Sequence, residues 1–503
     1  MSEWWWRLSA LVAGGLPLFA FPAPALWWWA FLALVPALLV IRAAPTRWKG
    51  TVRGWWAAAG YGIGAIYWTV PNIGPALLLV AFGLGLLYAL YGWLAWELLH
   101  GPATPWRAVA ALALLPCSWV AAEYARSWSA LGGPWAVLGA SQWNDRAFLS
   151  LASLGGVWLI SFALVAINTG VVIALVSRVR PVRLASLAVS GAVVLGGFLY
   201  GEVGYHPLGG HPVEHLRVAM VQPGPGLSPA PRFTTEIRET RALAGRHPQL
   251  VVWGETSVSF DLADDPGRLH ALEAVSRSVG ADILVNQDTY VSALRGIYKT
   301  SALVGPRGII SSYEKMRLVP FGEYIPFRSV LGWLSSISRA ASVNRHRGTH
   351  LQVMVLSPAL PPVGPLICFE EAFPDMSRHL VAMGAQVLVY QTSDSTFEGS
   401  WELPQHAALA AVRASETDRP AVQVALTGDS VAFEPGGGEV AWLPRTFRGT
   451  KVIDLAIPES ITPFVRWGDW VPDGALVVLL VAGVTGLVAS RRRQRWTGIR
   501  PDQ

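Results

Sequence analysis

Three short apolar runs in the second half of the chain end at residues able to do covalent chemistry. GPLICFE reaches Cys368, QLVVWGE ends on Glu255, and the polar turn after SALVGPRGII carries Lys315 within SSYEKMRLVPFGEYIPF. Each run has the length and composition of a buried strand, and Glu370, Glu371 and Pro374 beyond Cys368 mark a turn into a helix start. A thiol at a strand end lies close to free backbone N–H groups, which lower its pKa and bind an oxyanion. Carboxylate, ammonium and thiol at three strand ends form a set for acyl transfer. Glu255 takes the thiol proton, the Cys368 thiolate attacks an acyl carbon, and Lys315 with the Phe369 N–H stabilises the oxyanion. Taken singly, each has a plainer reading: a lone cysteine as a small core residue, a strand-end Glu or Lys as a solvated charge.

The elements that must position these residues fall in one region. From Leu216 onward LRVAMVQ, QLVVWGE, DILVNQDTYV, SALVGPRGII, GPLICFE, QVLVYQTS, AVQVAL, SVAFEP and KVIDLAI read as strands, interleaved with helical patterns over residues 234–246, 266–279, 376–383 and 405–416. This alternation predicts an α/β domain over residues 216–466. The rest of the chain is built for a different solvent. Its 503 residues are 52% apolar and 14% charged, with a mean hydropathy of +0.39. Long apolar runs with few charges predict seven membrane spans near residues 8–24, 26–42, 54–72, 75–99, 105–125, 152–176 and 184–203, and an eighth near 474–490. Residues 1–205 are thus expected to form a membrane domain, 206–215 a linker, and 467–503 the eighth span with a basic tail. Ala23-Pro24-Ala25 resembles a signal-peptidase site, but Arg7 is the only basic residue ahead of it and another apolar run follows at once, so the first run is read as a span.

Basic residues set the expected orientation. Arg42, Arg47, Lys49 and Arg53 follow span two, Arg107 follows span four, Arg178, Arg180 and Arg183 follow span six, and Arg491, Arg492, Arg493 and Arg495 follow span eight. By the positive-inside rule both termini are cytoplasmic and the α/β domain is extracytoplasmic. The net charge of +6 is then mostly topology, and nucleic-acid binding is excluded because no basic, aromatic-interleaved patch occurs in the α/β part. With Cys117 in span five and Cys368 outside, no disulfide framework exists. Within the spans, Glu97 is expected to pair with His100 and Glu123 with Arg126 at the interface, while Asn168 sits deeper. Trp-rich span ends form an aromatic belt. His206, His211 and His215 have ligand-like spacing, but only Glu214 accompanies them, so neither metal nor other cofactor is expected. The connection over residues 127–150 is amphipathic and lies on the side of the α/β domain, lining a lipid-accessible site or lying in the interface.

QLVVWGET, YEKMRLVPFGEYIPF and LICFEEAFP resemble the Glu, Lys and Cys segments of the nitrilase (carbon–nitrogen hydrolase) superfamily, which implies an αββα sandwich. LASLGGVWLISF, VAMVQ, KMRLVPFGEYIPF, QHAALAAVRASETDRP and TPFVRWGDW extend the resemblance, over nearly the whole chain, to bacterial apolipoprotein N-acyltransferases. That resemblance implies transfer of an acyl chain from a membrane phospholipid to the α-amino group of a lipoprotein's diacylglyceryl-cysteine, through a thioester. It also implies residence in the bacterial inner membrane. On this sequence Glu255 becomes the general base, Lys315 the oxyanion and orienting cation, and Cys368 the nucleophile. Glu323 and Glu370 match acidic positions that orient Lys315 or guide the amine proton, and Arg413, Glu416 and Arg419 match a helix motif read as a structural ion-pair network. The chain departs from the family at Phe369, where tyrosine is common, near Pro231, where tryptophan is common, and in SDSTFEGSW from Ser393.

The alternative within the same chemistry is a membrane-tethered amidase in which water replaces the amine. An inert domain on a transporter would leave the three strand-end residues as coincidence. Phe327, Val330, Leu331, Trp333 and Leu334 follow the Lys315 turn and surround Gly332, and are expected to form a lid that dips into the lipid surface and gates acyl entry, or else ordinary core. The sequence sets no oligomeric state and is compatible with a monomer.

Overall fold

The computed structural model describes residues 2–206, 214–291, 296–325, 345–356 and 360–497. Its N-terminal part is a helical bundle: α1 (Glu3–Gly15), α2 (Val35–Arg42), α3 (Arg47–Ile66), α4 (Ala76–Leu99), α5 (Pro105–Arg126), α6 (Ala152–Val176) and α7 (Arg180–Gly204). A last helix, α12 (Trp470–Thr497), returns to the bundle after the α/β domain. Among the described residues five segments are long and apolar enough to cross a membrane: α4, α5, α6, α7 and residues Trp470–Ala489 of α12. The runs at 8–24 and 26–42 are broken instead into α1, two short 3-10 turns and α2. Pro17, Pro22, Pro24 and Pro36 account for the breaks, since each lacks the N–H that an α-helix needs. The run at 54–72 begins earlier, at Arg47, as α3, and its Arg53 is no solvated loop charge. Arg53 is buried, with Nε and Nη2 each 3.1 Å from the Glu3 carboxylate.

Small residues let the bundle close. At the α1–α3 contact, a Cβ on Gly14 would lie 1.8 Å from the Ala57 carbonyl oxygen and one on Gly60 1.9 Å from that of Leu11, so the backbones touch where glycine permits it. Asn168, deep in α6, turns its amide to the broken segment: Oδ1 accepts from Leu34 N at 2.9 Å and Nδ2 donates to the Ala30 carbonyl at 2.8 Å, with a second bond to the Leu164 carbonyl of its own helix at 2.8 Å. It thereby satisfies backbone groups that the helix break strands in an apolar medium. Glu97 faces Arg47 at 3.6 Å rather than His100, because α4 and α3 lie side by side. Glu123 does not pair with Arg126. It accepts the Leu138 N–H at 2.7 Å, while Arg126 Nη1 donates to the Trp135 carbonyl at 2.7 Å, so both fasten the 127–150 connection.

The α/β domain has two sheets. The first holds β1 (Glu214–Gln222), β2 (Leu250–Trp253), β3 (Asp282–Val291), β4 (Gly296–Gly305), β5 (Gly308–Glu314) and β11 (Gly449–Ile457), in the order β11-β1-β2-β3-β4-β5. The second holds β6 (Val363–Ile367), β7 (Val387–Thr392), β8 (Ala421–Ala425), β9 (Ser430–Phe433) and β10 (Glu439–Leu443), in the order β10-β9-β8-β7-β6. Strands β1, β2 and β3 run parallel, as do β6, β7 and β8. Alternation along β1 and β2 assigns the two faces. Ala219, Val221, Val251 and Trp253 join one core with Phe233, Leu272 and Val275 from α8 (Pro229–Arg241) and α9 (Pro266–Val279); Val218, Met220, Leu250 and Val252 join the other. That second core includes Leu366 of β6, Leu388 of β7, Leu380 of α10 (Pro374–Ala382) and Val412 of α11 (Glu402–Thr417). It continues without interruption into residues of the helical bundle such as Val157, Leu164 and Leu138. The result is an αββα sandwich whose inner layers are also pinned by polar bonds, Gln391 Nε2 to the Trp253 carbonyl at 2.8 Å and Ser430 Oγ to Gln222 Oε1 at 2.6 Å.

SALVGPRGII is not one strand but the end of β4, a turn and the start of β5. EVAWL, for which the sequence raises no strand expectation, forms β10. Helix α9 matches its expected span to the residue, because Asp265 caps Arg268 N with Pro266 next in line, and Gly280 ends it at φ +75°.

Candidate active site

Glu255, Lys315 and Cys368 each follow the end of a strand, β2, β5 and β6, and the packing of the sheets brings the first two into contact. Lys315 Nζ lies 3.5 Å from Glu255 Oε1 and 3.1 Å from Glu323 Oε2. Arg345 Nη1 completes the cluster at 2.7 Å from Glu323 Oε1, and the Val319 N–H donates to Oε2 at 2.9 Å. All three of Glu255, Lys315 and Glu323 are buried. Burial alone would lower the Lys315 pKa, but the carboxylates of Glu255 and Glu323 more than offset it and hold it above the usual range. Burial likewise opposes the Glu323 charge, and Lys315 and Arg345 prevail, leaving its pKa low. The ammonium is therefore fixed as a cation between two carboxylates.

Cys368 is half-buried and takes φ +52°, a left-handed conformation that a non-glycine residue adopts only when its surroundings impose it. Burial pushes the thiol well above its ordinary pKa; the Glu255 charge adds to this and Lys315 opposes it. At rest the thiol keeps its proton, so attack needs a base at that moment. Glu370 clasps the elbow to the Lys315 turn: Oε1 accepts from Tyr313 Oη (2.9 Å), Met316 N (2.7 Å) and Arg317 N (2.9 Å), and Oε2 from Ile367 N (2.9 Å). Arg317 and Asp375 add a two-point ion pair across the same seam, at 2.8 and 2.5 Å.

Behind the elbow lies a cluster that sequence reasoning does not single out. His406, on α11, places Nε2 3.3 Å from the Cys368 carbonyl oxygen and Nδ1 3.0 Å from Asp394 Oδ1. Glu371 and Glu402 stand 3.6 Å from the ring nitrogens. All four side chains are buried. Burial pushes the Glu371 carboxyl up to about 8; it works against the His406 charge, but the carboxylates of Asp394, Glu371 and Glu402 raise the imidazole to about 10. The ligating atoms of Cys368, Asp394 and His406 lie within 4.8 Å of one another, yet both ring nitrogens already have oxygen partners. In the linker, His206 meets the Val203 carbonyl and His215 meets Asp454, so these two do not converge, and His211 lies outside the described residues. The one signal for His406 is its place in QHAALAAVRASE, ten residues ahead of Glu416; on an apolar helix it reads as core.

The 127–150 connection packs under this site. Trp135 Nε1 donates to Gln405 Oε1 at 3.2 Å, its ring lies 5.6 Å from that of His406, and Gly133, at φ +67°, meets Phe369 and Phe373 so closely that a Cβ would sit 2.7–2.9 Å from their rings. The departing segment after Ser393 rests on the bundle through Trp68–Phe397 and Tyr67–Trp401 ring contacts at 4.6 and 5.6 Å. Arg413 and Glu416 form a buried pair at 2.8 Å, and Glu416 Oε1 also accepts the Val157 N–H at 2.8 Å, where α6 restarts after a kink at Gly155 and Gly156. Arg419 bonds the carbonyls of Asp418 and Ser460. Phe327, Val330, Leu331, Trp333 and Leu334 lie outside the described residues.

An α/β sandwich whose core runs into apolar helices, with acid, base and thiol groups at its strand ends, defines a membrane-bound enzyme with a carbon–nitrogen hydrolase domain. The carbon–nitrogen hydrolase model matches residues 277–459, and the model of the apolipoprotein N-acyltransferase N-terminal domain matches residues 13–170. The apolipoprotein N-acyltransferase of Methylococcus capsulatus is 30% identical over 84% of this chain and 81% of its own length, and that of Geobacter metallireducens is 28% identical over 94% and 95%. The chain belongs to the apolipoprotein N-acyltransferase family. Among solved structures, a mutant of the Nesterenkonia AN1 amidase from the nitrilase superfamily is 16% identical, covering 52% of this chain and 95% of its own, with a TM-score of 0.38.

Proposed function

We propose that the protein moves an acyl chain from a membrane phospholipid to the α-amino group of the diacylglyceryl-cysteine of apolipoproteins, through a thioester on Cys368. The observation that carries this reading is the buried Glu255–Lys315–Glu323 cluster beside a left-handed cysteine elbow, in a domain whose core is continuous with apolar helices. Glu255 accepts the thiol proton as Sγ attacks the ester carbonyl. Lys315 and the Phe369 N–H hold the oxyanion, and collapse expels the glycerol oxygen, which takes the proton from Glu255 and leaves as lysophospholipid. The acceptor amine then attacks the thioester, losing its proton to Glu255, and the sulfur leaves and is reprotonated. Glu323 orients Lys315, and Glu370 holds its turn against the elbow. The two substrates are both anchored in lipid, which explains why such a catalytic domain is joined to a membrane domain over residues 1–205 and a final span within 467–503.

Incubating membranes carrying the protein with phospholipid and a diacylglyceryl peptide should yield peptide with a third, amide-linked chain. A thioester that hydrolyses within seconds whether or not peptide is added would favour the amidase reading instead. In this reading the enzyme sits in the inner membrane with residues 216–466 outside the cytoplasm and both termini inside. Membrane-impermeant labelling of intact cells should reach residues 217–467 and spare residues 491–495; the opposite pattern would invert the orientation.

A further inference from the structure

The Cys368 carbonyl and the Phe369 N–H belong to one planar peptide unit, and point in opposite directions from it. Whatever grips the carbonyl therefore aims the N–H. Among the described residues the side chain that grips it is His406, through Nε2 at 3.3 Å, from a helix whose sequence position is 38 residues away. The other ring nitrogen faces a carboxylate, Asp394 Oδ1, at 3.0 Å, and Thr392 Oγ1 stands 3.3 Å from it while donating to that same carboxylate at 2.9 Å. A ring with an acceptor oxygen at each nitrogen donates from both, which is the geometry of an imidazolium. Asp394 after β7 answers the charge directly at 3.0 Å; Glu371 beyond the elbow and Glu402 on the same helix one turn earlier pack on the ring at 3.6 Å as carboxyl groups that burial pushes toward the protonated form, and the Trp135 ring stands 5.6 Å away. No substrate-facing role is open to this buried ring, yet its reach ends at the peptide of the nucleophile.

We infer that His406 is a positioning residue for the oxyanion site: it donates to the Cys368 carbonyl, fixes the Cys368–Phe369 peptide plane, and polarises it so that the Phe369 N–H becomes a stronger donor to the tetrahedral oxyanion. The inference rests on the reading of Cys368 as nucleophile and the Phe369 N–H as oxyanion donor. Two physical effects support it. A hydrogen bond to a carbonyl strengthens the donor at the other end of the same amide, and more so when the first donor is charged. The left-handed elbow at φ +52° also needs an outside hold, which this bond supplies. The high proton affinity of the imidazole agrees, since it keeps the ring charged at physiological pH.

The test compares two reactions of Cys368 in the full-length chain in mixed micelles. A p-nitrophenyl ester of a medium-chain acid acylates the thiol through an oxyanion; iodoacetamide alkylates it by displacement and forms none. His406→Gln keeps volume and a neutral donor, and His406→Leu removes the donor. Acylation should fall about 10–100-fold, further in the Leu variant, while alkylation stays within about 2-fold, the loss being of the kind seen when one oxyanion interaction is weakened. Equal losses in both reactions would make His406 merely structural, and no loss in either would also overturn the proposal. If neither His406 variant folds, Asp394→Asn leaves the ring and its bond to Cys368 in place and removes the nearest counter-charge; a smaller split of the same sign is expected, and its absence overturns the inference. Failure of the underlying reading has its own signature: wild type and Cys368→Ala would react alike with both reagents.

Discussion

Cys368→Ser should leave a folded, membrane-inserted protein whose turnover is lower by at least about 10⁴-fold, the scale on which loss of a covalent nucleophile is felt. The hydroxyl fits where the thiol stood, so the elbow and its left-handed backbone persist. What is lost is the accessible anion. The site already holds the thiol's proton tightly, through burial and the neighbouring Glu255 charge, and an alcohol is far harder to ionise; a carboxylate is too weak a base to compensate. The measurement is acyl-enzyme formation with phospholipid alone, read as a hydroxylamine-sensitive adduct on the protein. Retention of that adduct in the Ser variant would place the nucleophile elsewhere.

Lys315→Met should slow formation of the acyl-enzyme by about 10²-fold or more, because it removes an oxyanion donor. It should also reduce stability, for a separate reason. Lys315 stands between Glu255 and Glu323 in a buried setting, and removing the shared cation leaves two carboxylates close together, with Arg345 answering only Glu323. Breaking a buried pair from one side costs about 3–5 kcal/mol. Single-turnover acylation and a thermal melt on the same preparation separate the two effects. An unchanged acylation rate in a folded variant would remove Lys315 from the chemistry.

The placement of candidate site residues is legible in the sequence where it coincides with strand ends, since a short apolar run that stops at a polar residue gives both the element and the place of its last side chain. Whereas Lys315 lies past the apolar run, after the polar end SSYE of β5, Glu255 and Cys368 are placed that way. His406 is not, because its contact with the Cys368 carbonyl is made by the return of α11 across the second sheet, and nothing in a helical apolar pattern tells which face meets a backbone oxygen. The α/β layering is readable from alternation, but the β4–β5 hairpin is not: its turn, Pro306-Arg307, sits inside a run that is apolar on both sides. In the bundle, hydropathy locates α4, α5, α6, α7 and α12; in the runs at 8–24 and 26–42 prolines cut apolar sequence into shorter pieces, and the run at 54–72 is displaced toward the N-terminus as α3. Partners of charged residues are the least legible feature. Arg47 for Glu97, and Leu138 N for Glu123, come from neighbouring helices and loops, whereas local spacing favours His100 and Arg126.

The contact of Glu416 with Val157 N joins the α/β domain to the bundle. Helix α11 carries His406 under the nucleophile and, ten residues on, a carboxylate that caps the restarted membrane helix α6. At about 1.5 Å per residue these points are about 15 Å apart on a single rigid rod. Ser415 Oγ, bonded to the Leu149 carbonyl at 3.0 Å, reinforces the same joint. Separating the α/β domain from the bundle would strand a buried carboxylate and leave α6 uncapped at its restart. Solubilisation chemistry becomes, in effect, active-site chemistry: a detergent that loosens the bundle near Val157 pulls on the far end of the helix that steadies Cys368.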